Sequence, residues 1–149
     1  MGSTANMPKL TLYRTNGSCS LVPHAILRHY NIPFDAIRLK PGPDGYEAAD
    51  GSFTNAEYHA IHPRGYVPAL TVDDETITEM PAILSYISSL IPNEKLLGVT
   101  AFQNAKVLEW LVFYQARCTV LDMVLGCDQC GSVMTLRLMK EFEPKERRS

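Results

Sequence analysis

The sequence has no uninterrupted apolar run approaching the ~20 residues that cross a bilayer, so no membrane span is expected. It has little net charge. Fourteen Lys and Arg against sixteen Asp and Glu leave −2, enough for solubility and too little to steer the chain to nucleic acid or anionic lipid. Cysteine is sparse: Cys19, Cys118, Cys127 and Cys130 do not make a disulfide framework. Reduced thiols in a cytoplasmic protein are expected, and any cysteine chemistry is then thiol chemistry. The first residues, Met1 to Pro8, are polar and lack the apolar core of a secretory signal. Four histidines without metal-ligand spacing give no metal site. Internal repeats are absent.

What remains is an ordinary globular composition, 46% hydrophobic and 20% charged over 149 residues. That excludes disorder, collagen and coiled coil as descriptions of the whole. Residues 10–13 alternate as a first strand, followed by the turn-rich stretch 14–18. From Ser20, Leu21, Val22, Ala25, Ile26 and Tyr30 recur at helical spacing until Asn31, and Pro33 stops the helix. Residues 34–39 alternate as a second strand, and 40–45, rich in Pro and Gly, read as a loop. A short helix fits 53–61, closed by Pro63-Arg64-Gly65. Residues 69–72 and 75–78 flank Asp73-Asp74 as a hairpin. Pro81 then opens a helix, where its missing N–H costs nothing, with Ala82, Ile83, Tyr86, Ile87 and Leu90 as its buried stripe.

The order is β-α-β-α-β-β-α, a parallel crossover followed by an antiparallel hairpin. It is the order of the thioredoxin fold, an α/β architecture. Three stretches sharpen the match. Gly17-Ser18-Cys19-Ser20-Leu21-Val22-Pro23-His24 resembles the first-helix start of beta-class glutathione S-transferases. His62-Pro63-Arg64-Gly65-Tyr66-Val67-Pro68-Ala69-Leu70 resembles the family's Asn-Pro-x-Gly-x-Val-Pro-Ala-Leu stretch, and Thr78-Glu79-Met80-Pro81-Ala82-Ile83 its Glu-Ser-x-Ala-Ile stretch. The three occur in family order across residues 9–97.

The resemblance implies a glutathione site. Val67-Pro68 would be cis, presenting the Val67 N–H and C=O to the cysteinyl backbone of glutathione; read from the residues alone, Pro68 is an ordinary trans proline before a strand, cis X-Pro being a small minority. The Glu79 carboxylate would take the γ-glutamyl ammonium, and the helix N-terminal N–H groups the adjacent carboxylate. Met80 stands where the family has Ser, and offers only its N–H. A helix N-terminus lowers a thiol pKa, and the resemblance to beta-class enzymes implies that Cys19 can form a mixed disulfide with glutathione. Alternatively Cys19, Ser18 or Ser20 would donate a hydrogen bond to the glutathione thiolate. Spacing does not choose among the three. His24 reads as a packing or surface residue, and His62 replaces a family Asn with a cap or turn role.

Residues 92–100 read as a linker and 101–125 as one long helix, with Ala105, Leu108, Leu111, Val112, Cys118 and Leu121 on one face. Trp110-Leu111 resembles the first long helix of the family's all-helical second domain, and Thr119 falls where beta-class proteins carry a histidine. An amphipathic piece follows at 133–142, then a charged tail, so 101–149 are expected to form a shortened helical domain after a thioredoxin-like unit at 1–91. Cys127-Asp128-Gln129-Cys130 is a lone C-x-x-C pair, short of the four ligands zinc wants. The implied activity is conjugation of glutathione, as co-substrate, to a small electrophile in detoxification. It would need no metal or prosthetic group, and the family implies a homodimer. Two other classes stay open: a non-catalytic glutathione-binding protein, and a glutaredoxin-like thiol reductase using Cys19.

Overall fold

The structure, a computed structural model, describes the backbone of residues 7–125 and the side chains through Ala116. The expectations for Cys127 and Cys130, for segment 133–142, for the terminal tail and for the side chains of Cys118, Thr119 and Leu121 lie outside the described residues. No helix among the described residues is long and apolar enough to cross a membrane.

In chain order the elements are β1 (Leu10–Arg14), α1 (Leu21–His29), β2 (Asp35–Gly42), β3 (Gly45–Ala48), α2 (Asn55–Ile61), β4 (Ala69–Val72), β5 (Glu75–Thr78), α3 (Met80–Leu90) and α4 (Ala101–Leu125). A 3-10 turn at Pro92–Glu94 lies between α3 and α4. The five strands form one sheet in the order β3-β2-β1-β4-β5. Only β1 and β2 pair in parallel, with Leu12 opposite Ala36; the other neighbours are antiparallel. This is the thioredoxin-like arrangement followed by helix.

Strand alternation sorts the core into two layers. Leu10, Leu12 and Leu70 meet Leu27 of α1 and Ile83 and Ile87 of α3 on one face. Tyr13, Leu39 and Ala69 meet Tyr58 of α2 on the other. A capping box fixes the start of α2: Thr54 Oγ1 accepts from the Glu57 N–H, and the Glu57 carboxylate accepts from the Thr54 N–H at 2.8 Å.

The stretch 40–45 is not a loop. β2 continues to Gly42 and turns through Pro43-Asp44 into β3, with Leu39 opposite Ala48 and Gly42 opposite Gly45. Pro41 is tolerated because β1 pairs with β2 only over residues 35–38, so that side of residue 41 needs no ladder donor. Gly45 is required there. Its φ is +134°, and a Cβ would come within 2.5 Å of Asn55 Nδ2, which caps the Tyr46 carbonyl.

The expected helix stripes also shift. In α1 the buried positions are Pro23 and Leu27, while Leu21 is exposed. α3 buries two faces, since Ile83 and Ile87 meet the sheet whereas Met80 and Leu84 meet Leu111 of α4. Leu84 is therefore core and Ala82 is exposed. In α4, Ala105 and Val112 are exposed; Leu111 is the buried centre, flanked by partly buried Val107, Leu108 and Tyr114.

Candidate functional site

Three chain segments converge at one edge of the fold. The first is the turn between β1 and α1. Ser20 is fully buried and its hydroxyl closes the turn, accepting from the Thr15 N–H at 3.2 Å and lying 3.1 Å from the Thr15 carbonyl oxygen. The Ser18 hydroxyl sits 2.5 Å from that of Ser20 and accepts from the Ser20 N–H. These bonds satisfy a tight turn that would otherwise leave buried backbone groups unpaired. Of the three candidates, Ser20 thus faces inward and Ser18 and Cys19 are half-buried.

Cys19 packs against the cluster of Met80, Leu84 and Leu111, and its Sγ–H donates to the Val67 carbonyl oxygen at 3.6 Å. Val67 belongs to the second segment, 62–68, where the Val67-Pro68 peptide bond is cis. The Tyr58 hydroxyl buttresses this segment by donating to the Tyr66 carbonyl at 2.7 Å. Burial raises the Tyr58 pKa, so the phenol stays a donor. His62, 3% exposed, accepts from the Arg64 N–H through Nδ1 at 3.2 Å. Burial holds its pKa below the ordinary value, with Arg64 and His59 adding to that and Glu79 opposing it. The role is a turn brace, as expected of His62. Gly65, at φ +67°, lets the chain pass the His59 ring, which a Cβ would meet at 2.9 Å.

The third segment is the start of α3. Glu79 is its N-cap residue, held at φ 70°, ψ 122°. A non-glycine residue there costs about 1–3 kcal/mol and persists only where its surroundings enforce it. The first helical bond runs from Ile83 N–H to the Glu79 carbonyl. The Met80 and Ala82 N–H groups therefore precede the helix ladder, and Pro81 has none. Both Glu79 carboxylate oxygens are engaged: Oε1 lies 3.5 Å from Arg64 Nη1, and Oε2 accepts from the Gln115 side-chain amide.

Cys19, Val67, Pro68, Glu79 and Met80 thus lie on three segments joined by the Cys19–Val67, Cys19–Met80 and Arg64–Glu79 contacts, with one qualification. The Met80 side chain is 2% exposed in the contact between α3 and α4, so only its backbone is available to a ligand. His24 lies elsewhere, edge-on to Phe34 with ring centroids 5.6 Å apart; burial, then Arg14 and Arg28, lower its pKa. No group of His, Cys, Asp or Glu among the described residues is arranged to hold a metal ion.

Sequence reasoning missed Arg64 and Gln115. Gln115 had a signal: with Leu108 and Leu111 it falls on one helical stripe, and a polar residue on a buried stripe needs a partner. Arg64 had none, because its partner is 15 residues away across two strands.

A family model described as "Glutathione S-transferase, N-terminal domain" matches residues 17–90. The curated glutathione S-transferase GstA of Escherichia coli O157:H7 is 34% identical over 68% of this chain and 49% of its own length. The chain spans about half the length of the curated relatives it matches. Among solved structures, a bacterial beta-class glutathione S-transferase of Sphingomonas chungbukensis superposes with a TM-score of 0.66 at 26% identity, covering 93% of this chain and 73% of its own. A sphingomonad glutathione S-transferase complexed with glutathione superposes with a TM-score of 0.65 at 27% identity, covering 88% and 69%. On the family-model match and the curated relatives together, the chain belongs to the glutathione S-transferase family.

Proposed function

We propose that the chain binds glutathione at this edge and transfers it to a small electrophile. The observation that carries the reading is the convergence of Cys19 Sγ on the Val67 carbonyl, beside an α3 start that presents Glu79 and two backbone N–H groups. In this reading the Val67 backbone pairs with the cysteinyl residue, and Glu79 takes the γ-glutamyl ammonium. The carboxylate on the same carbon meets the Met80 and Ala82 N–H groups, where the helix end favours negative charge.

The glutathione sulfur then lies near Cys19 and Ser18. The Cys19 thiol, or the Ser18 hydroxyl, donates to it and favours the thiolate, the nucleophile the transfer needs. The thiolate forms the new S–C bond, and the displaced electron pair leaves with the leaving group or moves onto the acceptor. Rate enhancement comes from stabilising the thiolate and holding it in place. Ser20 supports the turn rather than the substrate, being buried and bonded to Thr15.

A homodimer and a cytoplasmic setting complete the reading. The exposed side chains of Trp110 and Phe113, in ring contact on α4, support the former, since exposed aromatic surface marks an interaction site. Purified chain assayed with glutathione and a generic aromatic electrophile tests the activity. Conjugation that falls in Glu79→Ala supports transfer, and glutathione binding without turnover marks a binding protein. Reduction of a glutathione mixed disulfide that vanishes in Cys19→Ala marks a thiol reductase.

A further inference from the structure

We infer that Arg64 is a specificity-determining residue of the glutathione site, taking the α-carboxylate of the γ-glutamyl group; this rests on the function proposed above. The side chain at position 80 supplies no donor, because Met80 is buried between α3 and α4. Pro81 has no N–H. The start of α3 therefore offers a carboxylate only the two backbone groups of Met80 and Ala82, and no charge beyond the helix end.

Arg64 supplies the charge. Its guanidinium lies 3.5 Å from Glu79 Oε1 and its side chain is 74% exposed, so further N–H donors face solvent. The pair places a cation and an anion side by side. An α-amino-acid terminus carries the opposite arrangement, ammonium and carboxylate on one carbon, so each charge meets its complement. Guanidinium binds carboxylate through a planar fork of two parallel N–H bonds. An exposed ion pair contributes little by itself, so the Arg64 side chain can turn from Glu79 to the ligand at small cost. Gln115 of α4 keeps Glu79 in place meanwhile, donating to its other oxygen. Each carboxylate oxygen has two lone-pair sites, which leaves acceptor capacity for the ligand ammonium.

Calorimetric titration of the full chain with glutathione and with 4-aminobutyryl-cysteinylglycine, which keeps the ammonium and lacks the α-carboxylate, tests this. Arg64→Ala is expected to weaken glutathione about tenfold or more, the scale of one charge-assisted hydrogen bond, and to leave the analogue within about twofold. Arg64→Lys is expected to fall between, keeping the charge without the fork. Equal weakening of both ligands would mean that Arg64 acts only through Glu79, and would overturn the inference. Unchanged glutathione affinity in Arg64→Ala would overturn it too, leaving the proposed function standing. No glutathione binding by the unsubstituted chain would remove that function, and this inference with it.

Discussion

The Sγ of Cys19 lies 3.6 Å from the carbonyl oxygen of Val67, although 48 positions separate the two residues in sequence. The contact brings the start of α1 against the segment leading into β4. It sets a thiol beside the backbone that, in the function proposed, pairs with glutathione.

Cys19→Ala is therefore expected to lower the conjugation rate about tenfold or more, the scale of one lost hydrogen bond to a charged group. The folded chain loses a weak sulfur bond and part of the half-buried packing against Met80, Leu84 and Leu111, so the stability loss should stay well below the ~2–5 kcal/mol of a fully buried large-to-small substitution. Turnover and a melting curve on the same preparation check both halves.

Ser20→Ala is expected to do the opposite. It strips the buried acceptor of the Thr15 N–H, and an unsatisfied buried donor costs about 1–3 kcal/mol. Chemical denaturation should show a midpoint shift of that size. Activity per folded molecule should stay near that of the unsubstituted chain.

Much of this site was legible in the sequence because it is built from local signals. Cys19, Val67-Pro68 and Glu79 sit in short motifs, and each occupies the place its motif implies. The hairpin 69–78 was legible from alternation around Asp73-Asp74. The strand at 45–48 was not, because Pro41 and Gly42 look like loop residues until one sees that β1 ends before them. Met80 reads as a site residue by position, yet whether its side chain faces ligand or core depends on α4 lying over α3. The roles of Arg64 and Gln115 depend on the same long-range packing, which no local pattern encodes.

Leu111→Ala is expected to destabilise the chain by about 2–4 kcal/mol, through lost burial and the cavity left under Met80 and Leu84. Because Gln115 reaches Glu79 from the same helix, glutathione affinity should fall as well. Melting and titration together separate this from a purely local defect.

Acidification should weaken the fold through His62. Its folded pKa lies below the ordinary 6.5, chiefly through burial, so the unfolded chain binds the proton more readily. The stability His62 contributes is present above that value and is lost as pH falls through its folded pKa. His62→Asn keeps an acceptor for the Arg64 N–H and does not titrate. The substituted chain should lose less stability between pH 7 and pH 5, as read from denaturation midpoints across that range.

The central claim is that Glu79, Val67 and Cys19 form a glutathione site. Calorimetric titration of glutathione into the purified chain, beside Glu79→Ala, tests it most directly. The account predicts saturable one-to-one binding per chain that weakens about tenfold or more in Glu79→Ala, the scale of a lost charged hydrogen bond. Absence of binding by the unsubstituted chain, or equal binding by both, would contradict it.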